Sequence, residues 1–169
     1  MTDHSPDKQA DDLAKVLEIS RAMVATEDLD SLLKLIIARS MELLHAERAT
    51  LLLYDSAADE LVSRIAAGLD ELRVPAGAGI CGATIASRRT INVPDAYADA
   101  RFNPDVDRRT GFRTRNILSA PLFAYDGSLV GVLQVLNKRR GAFDDHDVLL
   151  AETLGAMSAA FGAERDDLL

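Results

Sequence analysis

The most informative stretch of the chain runs from residue 92 to residue 138. It begins with NVPDAYAD at 92–99, continues with RFN at 101–103 and TGFRTRN at 110–116, and ends with NK at 137–138. Proline, aspartate, tyrosine and two threonine hydroxyls in one loop, followed by an apolar hairpin, are more specific than packing alone requires. The stretch therefore indicates both the fold and a functional loop.

The hairpin in this stretch is the clearest local signal. Residues 117–123 and 129–136 are apolar runs, and the Asp126-Gly127 pair between them is a strong hairpin signal. Apolar runs bounded by polar turns predict further strands. These are residues 49–54, their antiparallel partner 60–66, and a short strand at 90–93 that ends at Pro94.

Apolar residues at helical spacing predict three long helices. The first covers residues 9–25, and its narrow stripe consists of Leu13, Val16, Leu17, Ser20, Met23 and Val24. Asp28 is the predicted cap of the second helix, and Asp144 opens a last helix that runs to about residue 165. Shorter predictions are a loop at 74–82, a helix at 83–87, and one helical turn capped by Asn103 with Pro104 in its first position.

The order of these elements predicts one α+β domain, in which an antiparallel sheet carries helices on its face. We expect residues 1–8 to be a disordered tail, residues 9–27 a connecting helix, and residues 28–169 the domain with its C-terminal helix. Residues 95–115 have no clear period, and long connections in compact domains are often functional. The stripe on the first helix predicts a partner helix, either in a second copy or in the same chain.

Composition excludes several classes of function. The 169 residues suit one domain, and the net charge of −8 leaves no basic footprint for nucleic acid. One cysteine excludes an intrachain disulfide and a cysteine zinc cluster. The apolar runs are too short to span a membrane, and residues 1–12 are too acidic for a signal peptide. We therefore expect a cytoplasmic protein.

Catalytic chemistry finds little support in the residues. The histidines are His4, His45 and His146, and no motif brings one near Cys81 or a serine. Acids around His146 are explained by the first turn of a helix, where they complement the helix dipole. We expect no enzyme activity and no metal site.

A glycine-rich turn at residues 75–82, PAGAGICG, leads into the predicted short helix. Exposed amides at the start of a helix form an anion site, and glycine allows a ligand to approach them. Such a turn is more often only a turn, so the signal depends on its context.

The block at 92–138 and the order of elements resemble GAF domains, and the closest branch is that of cyclic-nucleotide phosphodiesterases and adenylyl cyclases. The resemblance covers about residues 28–163. It implies a GAF fold with a central antiparallel sheet of about six strands, flanking helices, and long N- and C-terminal helices on one face. Catalytic and chromophore-binding branches of the family need several cysteines or a cysteine beside a histidine, so the resemblance implies a sensor.

The same resemblance implies a set of ligand-binding residues. Ile80, Cys81 and Gly82 match the positions whose backbone faces the cyclic phosphate. The other implied members are Thr50, Asn103, Val106, Asp107, Thr110, Thr114 and Gln134. Five of these have a plainer explanation: local capping for the loop threonines and Asn103, an ordinary sheet position for Thr50, and backbone hydrogen bonds for Gln134. Asn137, Lys138, Phe143 and Asp147 match a family signature with a structural role, although its final Glu is Val148 here.

One departure from the family affects the choice of ligand. Relatives that bind cyclic GMP carry an aromatic residue and an acid where this chain has Ala66 and Ala67. We therefore expect cyclic AMP more than cyclic GMP, with another nucleotide or an unrelated small ligand as the alternatives and no cofactor required.

The expected function is a small-molecule sensor that acts through its terminal helices. A homodimer and an effector domain or protein are the expected partners, and nucleic acid and membrane are not. The alternative is a dimerisation or protein-interaction module whose pocket is vestigial.

Overall fold

Six strands pair into a single antiparallel sheet in the order β3-β2-β1-β6-β5-β4. The computed structural model describes residues 6–63 and 72–163. The strands are β1 (Ala46–Asp55), β2 (Glu60–Ser63), β3 (Leu72–Pro75), β4 (Ile91–Val93), β5 (Ile117–Phe123) and β6 (Leu129–Lys138). The helices are α1 (Pro6–Ala25), α2 (Leu29–Leu43), α3 (Gly79–Ser87), α4 (Asp105–Thr110) and α5 (Asp145–Ala163), with a 3₁₀ turn at Ala96–Ala98.

The two longest strands, β1 and β6, lie side by side at the centre of the sheet. Thr50 pairs with Gln134 and Leu52 with Val132. Because side chains alternate between the faces of a strand, Leu51 and Leu53 point to one face while Thr50 and Leu52 point to the other.

The first face of the sheet carries the larger hydrophobic core. Helices α2 and α5 contact the sheet, and α1 contacts α2 and α5. Fully buried side chains of this core include Met23, Leu32, Ile36, Leu44, Leu118, Leu122, Leu133 and Leu154. Burying each such side chain contributes roughly 1.5–3 kcal/mol of transfer free energy. The predicted α+β fold, with a six-stranded sheet and the terminal helices on one face, is confirmed.

The second face is covered less completely. Helix α3 contacts β5, β6 and β4, and two small apolar clusters lie beneath it. One cluster joins Leu52 and Val132 of the sheet to Cys81 of α3. The space beside α3 remains open and forms the cavity described below.

Local signals place the ends of the helices. The Asp28 carboxylate accepts the Ser31 N–H at 2.8 Å, as expected for the cap of α2. At the start of α5, Asp144 accepts the Asp147 N–H at 2.9 Å, and Asp147 accepts the Asp144 N–H at 3.0 Å. This reciprocal pair follows the geometry of a capping box.

Several boundaries differ from the sequence predictions. Helix α1 begins at Pro6, so residues 6–8 are helical and not part of a tail. Proline suits the first turn of a helix, because a backbone N–H at that position would have no acceptor within the helix. Residues 1–5 lie outside the described residues. The predicted loop at 74–82 holds the end of β3 and the start of α3, because β3 depends on pairing with β2.

Helix α1 has two apolar sides. Ile19 and Met23 are buried against α2 and α5. This side of α1 therefore packs on helices of its own chain, which is one of the two arrangements predicted from the sequence. Leu13, Leu17 and Val24 are 61%, 55% and 68% exposed. Among the described helices, none has the length and hydropathy needed to cross a membrane.

Gly131 of β6 provides a test of the central strand pair. A Cβ added there would lie 2.0 Å from the backbone oxygen of Leu52, so Gly131→Ala must push β1 and β6 apart. Overpacking of this kind costs about 1–3 kcal/mol. We expect the free energy of unfolding in urea to fall by about that amount. Gly77→Ala is the matched control, since no atom lies within 4 Å of its Cβ position; equal losses in both variants would contradict the prediction.

Candidate ligand pocket

A cavity of about 310 Å³ opens between the second face of the sheet, the start of α3 and residues 95–116, which we call the lid. This volume lies within the usual range for small-molecule sites. Its lining comprises Arg48, Thr50, Leu52, Val74, Pro75, Ala78, Gly79, Ile80, Cys81, Phe102, Asn103, Val106, Asp107, Thr110, Phe112, Thr114, Ile117, Gln134 and Leu136. Nine of the ten predicted ligand-binding residues are in this set.

The floor of the cavity is the central strand pair. Thr50 and Gln134 face each other across β1 and β6, and both are half-buried. Leu52, Ile117 and Leu136 surround them with apolar surface. The floor therefore offers a hydroxyl and an amide in an apolar setting, which is the usual composition of a ligand site.

The first turn of α3 forms one end of the cavity. Ala78 is the N-cap residue and provides no side-chain hydrogen bond, and the Gly82 N–H is the donor to the Ala78 carbonyl at 2.9 Å. The amides of residues 79–81 precede that bond, so they lack intrahelical acceptors. Gly79 has φ +65°, a conformation that glycine adopts without strain. This end of the cavity is suited to an anion.

Gly82 is the predicted site residue that does not line the cavity. A Cβ at this position would lie 2.4 Å from the backbone carbon of Gly77. The close approach of two backbone segments therefore explains the glycine here, and its N–H is already used within α3.

Cys81 lies in the cavity wall with 8% of its surface exposed. Burial raises the pKa of its thiol from 9.0 to about 12. The thiol therefore stays protonated at neutral pH and contributes packing to the wall, because the thiolate is the nucleophilic form.

The lid is held together by Asp107. One of its carboxylate oxygens accepts the Tyr97 hydroxyl and the Thr114 N–H, and the other accepts the Thr114 hydroxyl, each at 2.8 Å. Burial alone opposes ionisation of Asp107, but these bonds and the charge of Arg113 lower its pKa overall. The bond to Asp107 also raises the pKa of Tyr97, which remains a donor.

Three predicted ligand contacts in the lid make local hydrogen bonds instead. The Thr110 hydroxyl is the donor to the Val106 carbonyl at 2.9 Å, and the Thr114 hydroxyl is used by Asp107. The Asn103 side chain accepts the Asp105 N–H at 3.0 Å, so it forms a turn next to α4, whose N-cap residue is Pro104 rather than Asn103. The plainer explanation therefore accounts for these side chains, although all of them border the cavity. Val106 is 39% exposed and adds apolar surface at its edge.

The base of the lid is fixed by the signature residues. Asn137, at φ 59°, accepts the N–H groups of Arg115 and Asn116 at 2.6 and 3.3 Å and is a donor to the Arg113 carbonyl at 2.8 Å. The Asn116 side chain in turn accepts the Lys138 N–H at 2.9 Å.

The remaining signature residues connect β6, β4 and α5. Lys138 forms an ion pair with Asp147, and Phe143 is buried with its carbonyl accepting the Asn92 side chain at 2.8 Å. None of these residues lines the cavity.

Arg48 and Phe112 are cavity residues that the sequence reading missed. The Arg48 guanidinium carbon lies 3.9 Å from the centre of the Phe112 ring. Side chains alternate along β1, so Arg48 lies on the same face as Thr50. The strand period in the sequence therefore predicts that Arg48 lies beside the same site as Thr50. Within residues 6–63 and 72–163, no group of three His, Cys, Asp or Glu side chains is arranged to hold a metal ion.

Comparison with known proteins identifies the family. The family model described as GAF domain matches residues 28–160.

The chain belongs to the GAF domain family.

Individual relatives agree with this assignment. The cGMP-specific 3',5'-cyclic phosphodiesterase of Drosophila ananassae is 34% identical over 150 residues, covering 78% of this chain and 13% of that protein. The GAF domain of a phosphoenolpyruvate-protein phosphotransferase from Coxiella burnetii has a TM-score of 0.78 at 24% identity, covering 91% of this chain and 94% of that one. The free methionine-R-sulfoxide reductase of Neisseria meningitidis, solved with its substrate, has a TM-score of 0.77 at 25% identity, covering 98% of this chain and 96% of that one.

A GAF domain is a regulatory module, and the relatives named above are proteins with different activities. The likeness to a phosphodiesterase is consistent with the branch predicted from the sequence. The GAF domain aligns with about an eighth of that protein's length. A reductase is also among the neighbours, so the fold alone does not decide between sensing and catalysis.

Asp107→Asn tests the hydrogen bonds of the lid. A hydrogen bond to a charged group contributes about 1.5–3 kcal/mol, so we expect faster amide exchange at Thr114 and a measurable loss of stability. Because the pKa of Asp107 is lowered on folding, its contribution is complete above the ordinary value of about 3.9 and is lost as the pH falls through the lower, folded-state pKa. Asp105→Asn, in an exposed pair with Arg108, is the control. Unchanged exchange at Thr114 in Asp107→Asn would refute this role.

Proposed function

We propose that this GAF domain is a sensor whose cavity binds a cyclic nucleotide and whose terminal helices pass the signal to an effector. The observation that carries the proposal is the cavity itself, with helix amides at one end and the Thr50–Gln134 pair on its floor. A phosphate suits the amides and a base or ribose suits the polar floor. No cofactor or catalytic step is needed, and the buried Cys81 thiol suits a role without catalysis.

The phosphodiesterase relatives change which cyclic nucleotide we propose as the ligand. The preference for cyclic AMP rested on Ala66 and Ala67, which lie outside the described residues. It has no support from the phosphodiesterase relatives, which are named for cyclic GMP. We therefore propose cyclic GMP as the first ligand to test. We also propose a cytoplasmic location, which suits a single cysteine.

Thermal unfolding with cyclic nucleotides tests this proposal. Ligand at 100 times its dissociation constant stabilises the folded state by about 2.7 kcal/mol, so the Tm should rise. Gln134→Met removes the floor amide at similar volume and should weaken binding by about tenfold. Gln9→Met, at an exposed position of α1, is the matched control. A wild-type Tm that does not respond to cyclic GMP or cyclic AMP would refute cyclic-nucleotide binding.

A second candidate function is a protein-interaction module with a vestigial pocket. The observation in its favour is that Thr110, Thr114 and Asn103 satisfy their side chains within the lid, which leaves fewer groups for a ligand. No response to any nucleotide in the experiment above, together with self-association, would favour this function.

We further propose that the exposed strip of α1 pairs with a second copy of the chain. Leu13, Leu17 and Val24 lie on this strip, and Leu149 of the adjacent α5 is 61% exposed. Apolar side chains repeated at this spacing suit helix pairing, and covering them gains transfer free energy.

The double variant Leu13→Glu with Leu17→Glu should convert a dimer into a monomer in sedimentation equilibrium, because it places charges on the proposed interface. Ala14→Glu, also exposed on α1, should leave the dimer intact. A wild-type protein that is monomeric at high concentration would refute this pairing.

A further inference from the structure

Both ends of the lid are bonded to one short segment, residues 139–144, which joins β6 to α5 and which we call the connector. The side-chain amide of Asn116, the last residue of the lid, is the donor to the Gly141 carbonyl at 3.1 Å. The side-chain amide of Asn92, in β4 just before the lid, is the donor to the Phe143 carbonyl at 2.8 Å. A shift at the base of the lid therefore acts directly on the connector.

The two ends of the lid are also bonded to each other. The Ala96 N–H is the donor to the Arg115 carbonyl at 2.8 Å. Asp107 bonds to Tyr97 near the first end and to Thr114 near the second, and both Asp107 and Thr114 line the cavity. A ligand that shifts the lid therefore shifts both of its ends together.

The connector leads into the first turn of α5. The Phe143 carbonyl is bonded to Asn92, while the Phe143 side chain is buried in the core on the helical face of the sheet. The next residue, Asp144, accepts the Asp147 N–H with its carboxylate and the Val148 N–H with its carbonyl, at 2.9 and 3.0 Å. Moving the backbone at Phe143 therefore moves the residue that caps α5.

The same turn of α5 is joined to α1. The Nε2 atom of His146 lies 2.7 Å from a carboxylate oxygen of Asp12, and the Asp12 side chain is buried. Both terminal helices are thus linked to the lid by contacts that pass round the end of the sheet, from β6 through the connector to α5 and then to α1. This route does not require any movement of the central strands.

We propose that Asn92 and Asn116 are positioning residues that couple ligand binding in the cavity to the first turn of α5. The connector has two states, which differ in whether these two amides are bonded to the Phe143 and Gly141 carbonyls. A cyclic nucleotide that binds one arrangement of the lid more tightly favours the matching state of the connector. This inference deepens the proposed function, because it names how the signal reaches the terminal helices, and it rests on that function.

Amide hydrogen exchange with and without saturating cyclic GMP tests the coupling. The Val148 N–H reports on the first turn of α5, because it bonds to the Asp144 carbonyl. By linkage, the factor by which the ligand slows opening of this turn equals the factor by which that opening weakens ligand binding. In the wild type we expect cyclic GMP to slow exchange at Val148 by roughly fivefold or more.

The double variant Asn92→Asp with Asn116→Asp removes both links. Each change replaces an amide donor by an oxygen of similar size, and Asn116→Asp keeps the side-chain oxygen that accepts the Lys138 N–H at 2.9 Å. We expect this variant to bind cyclic GMP without the slowing at Val148. Asn92→Asp alone, at an exposed position, should lose part of the slowing, so the test does not depend on how the double variant folds.

Arg88→Met is the matched control. The Arg88 guanidinium is the donor to the Gly127 carbonyl at 3.2 Å, which is also a bond from a side chain to a distant backbone, at the opposite end of β6. This change removes a positive charge, where each Asn→Asp change adds a negative one. The slowing at Val148 should equal that of the wild type.

A mutant cycle tests the coupling from the side of α5. Asp144→Ala removes the cap of α5, so it should weaken cyclic GMP binding in the wild-type background, as measured by isothermal titration. In the double variant the same change should leave the affinity for cyclic GMP unaltered, because the links between α5 and the lid are absent.

The outcomes separate the two proposals. Slowing at Val148 that is lost in the double variant and kept in Arg88→Met supports the coupling. If the wild type binds cyclic GMP and Val148 does not respond, or responds equally in the double variant, the coupling is refuted and ligand binding in the cavity stands. Loss of the response in Arg88→Met also refutes the role of the two asparagines. If the wild type binds neither cyclic GMP nor cyclic AMP, the proposed function and this inference are both refuted.

Discussion

The pairing of β1 with β6 is the interaction on which the rest of the domain depends. These ten-residue strands lie at the centre of the sheet, and the period of two along β1 gives one face to the helical core and the other to the cavity. A shift of one residue in their register would exchange the two faces and move Leu51 and Leu53 out of the core. The same register sets Thr50 opposite Gln134, so the stability of the fold and the geometry of the floor have one physical origin.

The lid is largely organised by its own hydrogen bonds. Asp107, Tyr97 and Thr114 form its centre, and Asn137 and Asn116 attach it to β6. A ligand can shift such a segment only through a difference in its affinity for two arrangements of that segment. Pre-organisation of this kind lowers the entropy cost of binding.

The chemistry of the cavity suits recognition more than reaction. Its one thiol has a pKa raised to about 12 by burial, and the carboxylate in its lining is saturated by donors from the lid. What remains for a ligand is a set of donors and acceptors at separate points: helix amides, a floor hydroxyl and amide, and an arginine. Separate polar points in an apolar cavity determine the orientation of a bound molecule. The terminal helices lie on the opposite face of the sheet from this cavity, so the central strands separate the two.

The sequence by itself determined the features that depend on neighbouring residues. Hydrophobic period, the Asp126-Gly127 turn and the Asp28 cap are local, and they predicted the strand at 117–123, the long helices and the α+β class before any contact was known. The block at 92–138 and the order of elements indicated the family, and the resemblance to that family implied nine of the residues around the cavity. Tertiary structure decided what each side chain does there, because a hydroxyl such as that of Thr114 can bond to a ligand or to Asp107, and only the folded distance selects between them. Strand β3, the packing of Gly82 on Gly77 and the meeting of Arg48 with Phe112 likewise join residues that are distant or weakly patterned in the chain, and no local signal encodes such pairs.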